Sequence, residues 1–285
     1  MTEPSKSDQR QSMMNKQPQG YPSLTQSYKG RYPFKICTTS FIYPDHYIPN
    51  VRMLGPYLDE IELLLFESRY AGALPAGSVI ADLDRLAAEF DLSYNAHLPT
   101  DVSISAPDPA RQKEAVATMI RAIERVQPLD PSALILHVPY NGESLNEHDK
   151  INWQDRVYKN LVKILSAVGN NKIIAIETLD YPLELLEEII IELDLSICLD
   201  LGHLMVYDYD VLEVFNKFAF KTSVLHVHGV ENCRDHTTLE RLSDNLFESV
   251  RQVLNQFTGV VSLEVFSFEN LDSSLKYLES RWREN

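Results

Sequence analysis

Ionisable residues recur at the C-terminal ends of short apolar runs. Glu62 lies in IELLLFE, His97 in LSYNAHLP, His137 in ALILHVP and Glu177 in KIIAIETL. Asp200 and His203 close LSICLDLGH, His226 and His228 lie in SVLHVHGV, and Glu264 lies in VVSLEVFS. Imidazoles donate neutral nitrogen, carboxylates donate oxygen and offset metal charge, and an acid can bridge adjacent ions. This mixture suits two or three divalent cations, with zinc favoured by the nitrogen and oxygen donors and manganese or iron as alternatives. Glu177 and Glu264 are read as shared ligands, His97, His137, His203 and His226 as terminal ligands, and Asp200 as a further carboxylate.

His226 and His228 are two residues apart, so strand alternation sends both to one face; His226 is read as a ligand and His228 as a second ligand or a substrate contact. Downstream, ENCRDHTTLERL sets Asp235 and His236 at a loop-to-helix entry, where they can bind metal, orient water, contact phosphate, or simply cap the helix. Arg234 beside them is a phosphate contact or an ordinary surface arginine. Any one of these residues alone would be a solvated strand end. Their joint placement matters, because an apolar barrel would otherwise hold several costly polar groups at its centre without paired chemistry.

No other nucleophile competes. Cys37 and Cys198 sit inside apolar runs and are read as inert packing, Cys233 is read as an ordinary thiol, and no serine stands in a nucleophile-elbow motif. Water is the economical nucleophile. Phe41, Tyr43, Tyr47, Tyr140 and Trp153 are candidates for an apolar substrate wall, or for core and rim packing.

The elements that must position these groups follow from hydrophobic periodicity. Strands are expected at 34–40, 61–67, 92–99, 133–139, 172–179, 195–203, 223–230 and 260–267, apolar on both faces as in a parallel sheet covered by helices. Helices are expected at 78–90, 108–127, 150–168, 182–193, 208–219, 236–257 and 270–283, with an abbreviated one between the first two strands. Eight strand-to-helix units, with no GxGxxG or Walker A sequence, predict an α/β fold of one (β/α)8 barrel rather than an open doubly wound sheet. In a closed barrel the scattered acids and histidines converge on one mouth. The stretches PTDVSISAPD and PYNGESLNEHDKINW are read as strand-end loops that shape it.

With 285 residues, 44% hydrophobic and 24% charged, the chain is ordinary globular material, neither fibrous nor wholly disordered. Residues 1–31 read as a flexible polar tail and 32–285 as the catalytic domain. The first twenty residues lack the apolar segment of a secretory signal, and no apolar run reaches membrane-spanning length. Three cysteines, odd in number and unpaired in spacing, point to a reduced, cytoplasmic compartment. A formal charge of −15 disfavours nucleic acid and anionic membranes as partners, while leaving room for a phosphate site whose potential cations reverse. Oligomeric state is not legible.

The ordering of AHLP, LHVP, IETL, CLDLGH, LHVHGV, DH and SLEVF resembles the endonuclease-four-like metal enzymes of the xylose-isomerase-like barrel superfamily. Together with KICTTSFIYPDHYIPNVRML and EIELLLFES, the chain is similar to the cobamide-remodelling phosphodiesterase family. That resemblance implies metal roles for His97, His137, Glu177, Asp200, His203, His226, Asp235, His236 and Glu264. It implies cleavage of the nucleotide-loop phosphoester of a corrinoid, releasing cobinamide phosphate and an α-ribazole-type nucleoside for salvage. Glu177 and Glu264 would organise the cluster, Asp200 or Asp235 would orient water, and Glu62, Tyr43, Tyr140, His228 and Arg234 would contact substrate. His228 departs from the endonuclease pattern, which has a carboxylate there. Apurinic-site DNA cleavage and sugar isomerisation or epimerisation are the enzymatic alternatives on the same barrel, and nonenzymatic corrinoid binding is the alternative of another class.

Overall fold

Segments such as ALILHVP and KIIAIETL are apolar at successive positions, so a strand made from them must be covered on both faces. The computed structural model, which describes residues 20–68, 73–142, 146–232 and 234–282, meets that demand with a closed parallel barrel. In chain order the strands are β1 (Lys35–Thr39), β2 (Glu60–Leu64), β3 (Ser93–His97), β4 (Leu134–Leu136), β5 (Ile174–Glu177), β6 (Ser196–Asp200) and β7 (Thr222–Val227). A two-stranded antiparallel hairpin, β8 (Gly229–Glu231) and β9 (Arg234–Thr237), precedes the last barrel strand, β10 (Val260–Leu263). The barrel closes through parallel pairing of β1 with β10, in register Lys35 with Val260 and Thr38 with Leu263. All eight expected strands are present in one (β/α)8 barrel.

The helices are α1 (Tyr47–Leu54), α2 (Gly77–Phe90), α3 (Pro109–Val126), α4 (Glu147–Leu165), α5 (Glu187–Glu192), α6 (Leu201–Val206), α7 (Val211–Phe218), α8 (Asp244–Gln256) and α9 (Phe268–Trp282). In α3, Ala115, Met119, Ala122 and Val126 form one buried stripe, while Asp108 caps its start by accepting from Ala110 N–H at 2.9 Å. α1 is short, as expected, and α4 begins three residues earlier than expected because Asn146 accepts from Asp149 N–H and starts the helix there.

Three expectations are corrected. The sixth strand stops at Asp200 rather than running to 203, because the Asp200 carboxylate accepts from His203 N–H at 2.8 Å and begins α6. Residues 236–243 form no α-helix, only a 3-10 turn at Leu239–Arg241: Asn232 and His236 take left-handed φ of 52° and 50°, residues 234–237 pair back on β8, and α8 starts only after Ser243 caps it. Packing begins before Tyr32, since Leu24 and Tyr28 are buried and Tyr28 N–H donates to Tyr57 O at 2.8 Å. The remainder of the expected tail, residues 1–19, and Cys233 lie outside the described residues.

Inside the barrel, a small buried cluster of Cys37, Ala133, Ile135, Ala175, Cys198, Val224 and Val260 is separate from the large core between strands and helices. Most of these side chains are small, which leaves space for polar groups on β2 and β3. Glu60, fully buried, accepts from Asn95 Nδ2 at 3.0 Å, Ser93 Oγ at 2.6 Å and Ser132 Oγ, with Lys35 Nζ at 3.3 Å. Removing that carboxylate strands Asn95 and two hydroxyl donors. Glu60→Ala is therefore expected to lower stability by about 2–3 kcal/mol in urea unfolding, with bound metal per folded chain unchanged; a loss under about 0.5 kcal/mol, the level of an ordinary surface change, would show the network to be dispensable.

Candidate metal centre

Barrel closure brings the C-terminal ends of β3, β4, β5, β6, β7 and β10 together, and the acids and histidines read from the sequence meet there. Glu177 ends β5 and is the hub. Its Oε2 lies 3.0 Å from His97 Nε2 and 2.8 Å from His137 Nε2, and its Oε1 lies 3.5 Å from His226 Nδ1 and 3.7 Å from His203 Nδ1. His226 Nδ1 lies 3.1 Å from Glu264 Oε2, just past β10, and 3.9 Å from Asp200 Oδ2. His236 Nδ1, on the hairpin, lies 3.8 Å from the same Glu264 oxygen.

Several sets of ligand atoms mutually within 4.8 Å follow: His97, His137 and Glu177; Glu177, Asp200, His226 and Glu264; His228, His236 and Glu264; and His203, Asp235 and His236. Glu177, Glu264 and His236 each belong to two of these sets. The residues fit divalent cations on a further ground. Both Glu62 carboxylate oxygens, both His226 ring nitrogens and Glu264 Oε2 are buried without an aligned hydrogen bond, although His226 Nε2 stands only 3.2 Å from Glu62 Oε2. Orphaned buried nitrogen and oxygen donors are expensive, and a cation is the partner their chemistry suits.

The supporting contacts are also built in. Asp200 N–H donates to Thr178 Oγ1 at 2.8 Å, and Thr178 O accepts from His203 Nδ1 at 2.9 Å, so the residue after Glu177 sets both the sixth-strand acid and the α6 histidine. His228 Nδ1 accepts from the backbone N–H of His236 at 3.0 Å, which places its ring proton on Nε2, 3.2 Å from Asp200 Oδ1. This one ring therefore ties the hairpin to β6. A Cβ at Gly202 would fall on the His228 ring, so glycine is required there by contact. Residue type alone does not single out Thr178 or Gly202; their only signal in the sequence is adjacency to Glu177 and His203.

The substrate contacts expected from sequence fall in different places. His228 and Glu62 have no exposed surface; His228 belongs to the ligand set with His236 and Glu264, and Glu62 faces His226 at 3.2 Å. Tyr43 is buried at 2% exposure, donates to Pro22 O at 2.7 Å and stacks on Phe268. Tyr140 is half-buried against Trp153 and Tyr181. Arg234 and Asp235 are exposed on β9, and Asp235 belongs to a ligand group rather than to a helix cap. Cys198, read as packing, lies within the same 4.8 Å reach of Glu177 and His226, and burial pushes its thiol well above the ordinary range.

In the metal-free chain this cluster is a lattice of ion pairs. Burial pulls His97, His203 and His226 down, but the facing carboxylates outweigh it and all three are raised above 6.5. Burial pushes Glu177, Asp200 and Glu264 up, but the imidazoliums outweigh it and all three are lowered. The raised histidines contribute stability that is complete below pH 6.5 and lost as pH rises through their folded values. The lowered glutamates contribute stability that is complete above pH 4.5 and lost as pH falls through theirs. Metal-free protein should thus show its highest Tm between these values and decline toward alkaline pH. Loading must displace ring protons, so the metal-induced gain in Tm should grow from pH 6 to 8, with protons released in calorimetry; a gain independent of pH and no proton release would contradict the pairing. Gly202→Ala, which displaces His228, should weaken metal binding by about 10–100-fold, measured by competition with a chelator; unchanged affinity would show that His228 does not hold Asp200.

No curated protein sequence matches the chain. Among solved structures, a D-tagatose 3-epimerase-like protein aligns with TM-score 0.73 at 17% identity, covering 88% of this chain and 97% of that one. The 3-keto-D-glucoside 4-epimerase from E. coli aligns with TM-score 0.67 at 16% identity over 87% and 99%, and endonuclease IV from Thermus thermophilus with 0.68 at 15% over 88% and 100%. At such identities the likeness is one of fold. The family profile described as Xylose isomerase-like TIM barrel matches residues 54–281, which is most of the barrel and every acid and histidine of the cluster, and the chain belongs to that family.

Proposed function

We propose that this protein is a metal-dependent phosphodiesterase that hydrolyses the nucleotide-loop phosphoester of a cobamide. The observation that supports it is the nitrogen-rich group of His97, His137 and Glu177 beside the four-residue group of Glu177, Asp200, His226 and Glu264. A single-ion site would be complete with the second group. A first group sharing Glu177, and a third on His203, Asp235 and His236, supply the donors of a polynuclear centre of the kind that handles phosphoesters. Divalent ions bound there would lower the pKa of water and neutralise phosphate charge, which a chain of formal charge −15 otherwise repels.

The chain's own residues would then do the following. Glu177 and Glu264 hold the cluster together, and Asp200 is kept in place by Thr178 and His228. Asp235, exposed beside His203 and His236, would take a proton from water as the water oxygen bonds to phosphorus. The bond from phosphorus to the ribose oxygen would break, that oxygen would be protonated by the proton Asp235 took from water, and phosphate would stay on the cobinamide. The choice of cobamide comes from the resemblance of KICTTSFIYPDHYIPNVRML and EIELLLFES.

A second reading is sugar epimerisation, favoured by the fold likeness to D-tagatose 3-epimerase-like and 3-keto-D-glucoside 4-epimerase structures and by the self-sufficient group of Glu177, Asp200, His226 and Glu264. The names of the structural neighbours lean toward it; the surplus histidines lean away. Metal-loaded protein incubated with adenosylcobalamin should yield cobinamide phosphate and ribazole by product mass, and His137→Asn should cut kcat/KM by about 100-fold. Interconversion of ketohexose epimers without cobamide cleavage, undiminished in His137→Asn, would replace the first reading by the second.

A further inference from the structure

Beside the metal centre lies a cavity of about 330 Å³ that none of the ligand groups uses. Its walls come from three neighbouring units of the barrel: Phe41 after β1, Tyr47 at the start of α1, Leu64 and Phe66 at the end of β2, and Phe266 after β10, with Glu67 at the rim. Two of these rings lean on histidines of the cluster. Phe66 meets the His97 ring edge-on at 4.7 Å, and Phe266 lies 5.0 Å from the His236 ring. Phe41 packs edge-on against Tyr47 at 5.9 Å.

We propose that this cavity is the subsite for a planar aromatic ring of the substrate; resting on the phosphodiesterase reading above, the ring is the heteroaromatic base of the leaving nucleoside. Size supports a ring system rather than a macrocycle, since about 330 Å³ is at the small end of ligand pockets. Chemistry supports an aromatic over a polyhydroxylated ligand. The Tyr47 hydroxyl donates to Leu64 O at 2.8 Å, and the other walls named are hydrocarbon, leaving the Glu67 carboxylate as the acceptor for one N–H or O–H at the mouth. Phe41 and Phe266 are each 42% exposed, ring faces left to water that a stacked base would cover. Position supports it too, because a base seated between Phe66 and Phe266 is flanked by His97 and His236, so its sugar phosphate is delivered to the cluster.

The test uses metal-loaded full-length protein and 5,6-dimethylbenzimidazole as probe, followed by calorimetry and saturation-transfer NMR. The wild type is expected to bind one equivalent, D-fructose is expected not to compete, and the double variant Phe41→Ser with Phe266→Ser is expected to bind at least about tenfold more weakly, the loss of a base–aromatic stack. Where that variant does not fold, as judged by Tm and metal content, Phe41→Leu with Phe266→Leu decides, since it keeps apolar bulk and removes the rings. Equal affinity in the folded variant, or no probe binding by the wild type, overturns the subsite. Probe binding that responds to the variants without any cobamide cleavage retires the phosphodiesterase reading and keeps the aromatic subsite; cobamide cleavage with unaltered KM in the variants does the reverse.

Discussion

Four carboxylates, Glu62, Glu177, Asp200 and Glu264, are held at no more than 3% exposure at one end of the barrel, and the structure around them is organised by the need to compensate that charge. Buried carboxylates are tolerated only when paired, and the partners here are imidazoles from other strand ends of the barrel at 2.8–3.5 Å, such as His137 on Glu177 and His226 on the same acid. With a cation absent, protons fill the role. With cations present, the rings give up those protons and become ligands, so protonation and metal loading are two occupancies of one electrostatic requirement.

The barrel supplies the geometry cheaply because strand alternation is regular and the strands are parallel. Residues from β3 to β10 that are far apart in sequence become neighbours simply by ending at the same rim. Polar groups inside the barrel are tolerated because the lumen is lined by small side chains such as Ala133, Ala175 and Cys198. Two levels of polarity result: Glu60 at the start of β2 is saturated by fixed donors, whereas Glu62, two residues on, has no aligned partner. The first is stabilising architecture; the second is an unmet valence that marks the functional end.

The apolar runs announced the eight strands, and the residue types at their ends announced the cluster, because both signals are local. What was not legible depends on contacts between distant segments. The capping of α6 by Asp200 moved His203 from a strand to a helix, and left-handed φ at Asn232 and His236 turned an expected helix entry into a hairpin. The pattern HxH showed that His226 and His228 share a face, but only the approach of His236 N–H shows that the His228 Nε2 faces Asp200. Aromatic residues carried the weakest signal, since Phe41 at a cavity wall and Tyr43 in the core are two positions apart with nothing in sequence to separate them.

The hairpin of β8 and β9 has a consequence of its own. Most of the candidate ligands sit on barrel strands or directly behind them, clamped by helices on the outside, but Asp235 and His236 are carried on a short antiparallel ribbon whose ladder, among the described residues, joins Gly229 with Thr237 and Glu231 with Arg234. An isolated two-stranded ribbon is marginal in water, and this one is held by packing on α6 and by the bond from His236 N–H to His228. An ion shared with His203 would act as a rivet between that ribbon and α6, adding to the bonds His236 makes with His228 and Glu264 a contribution to cohesion that rises with the free metal concentration around the protein.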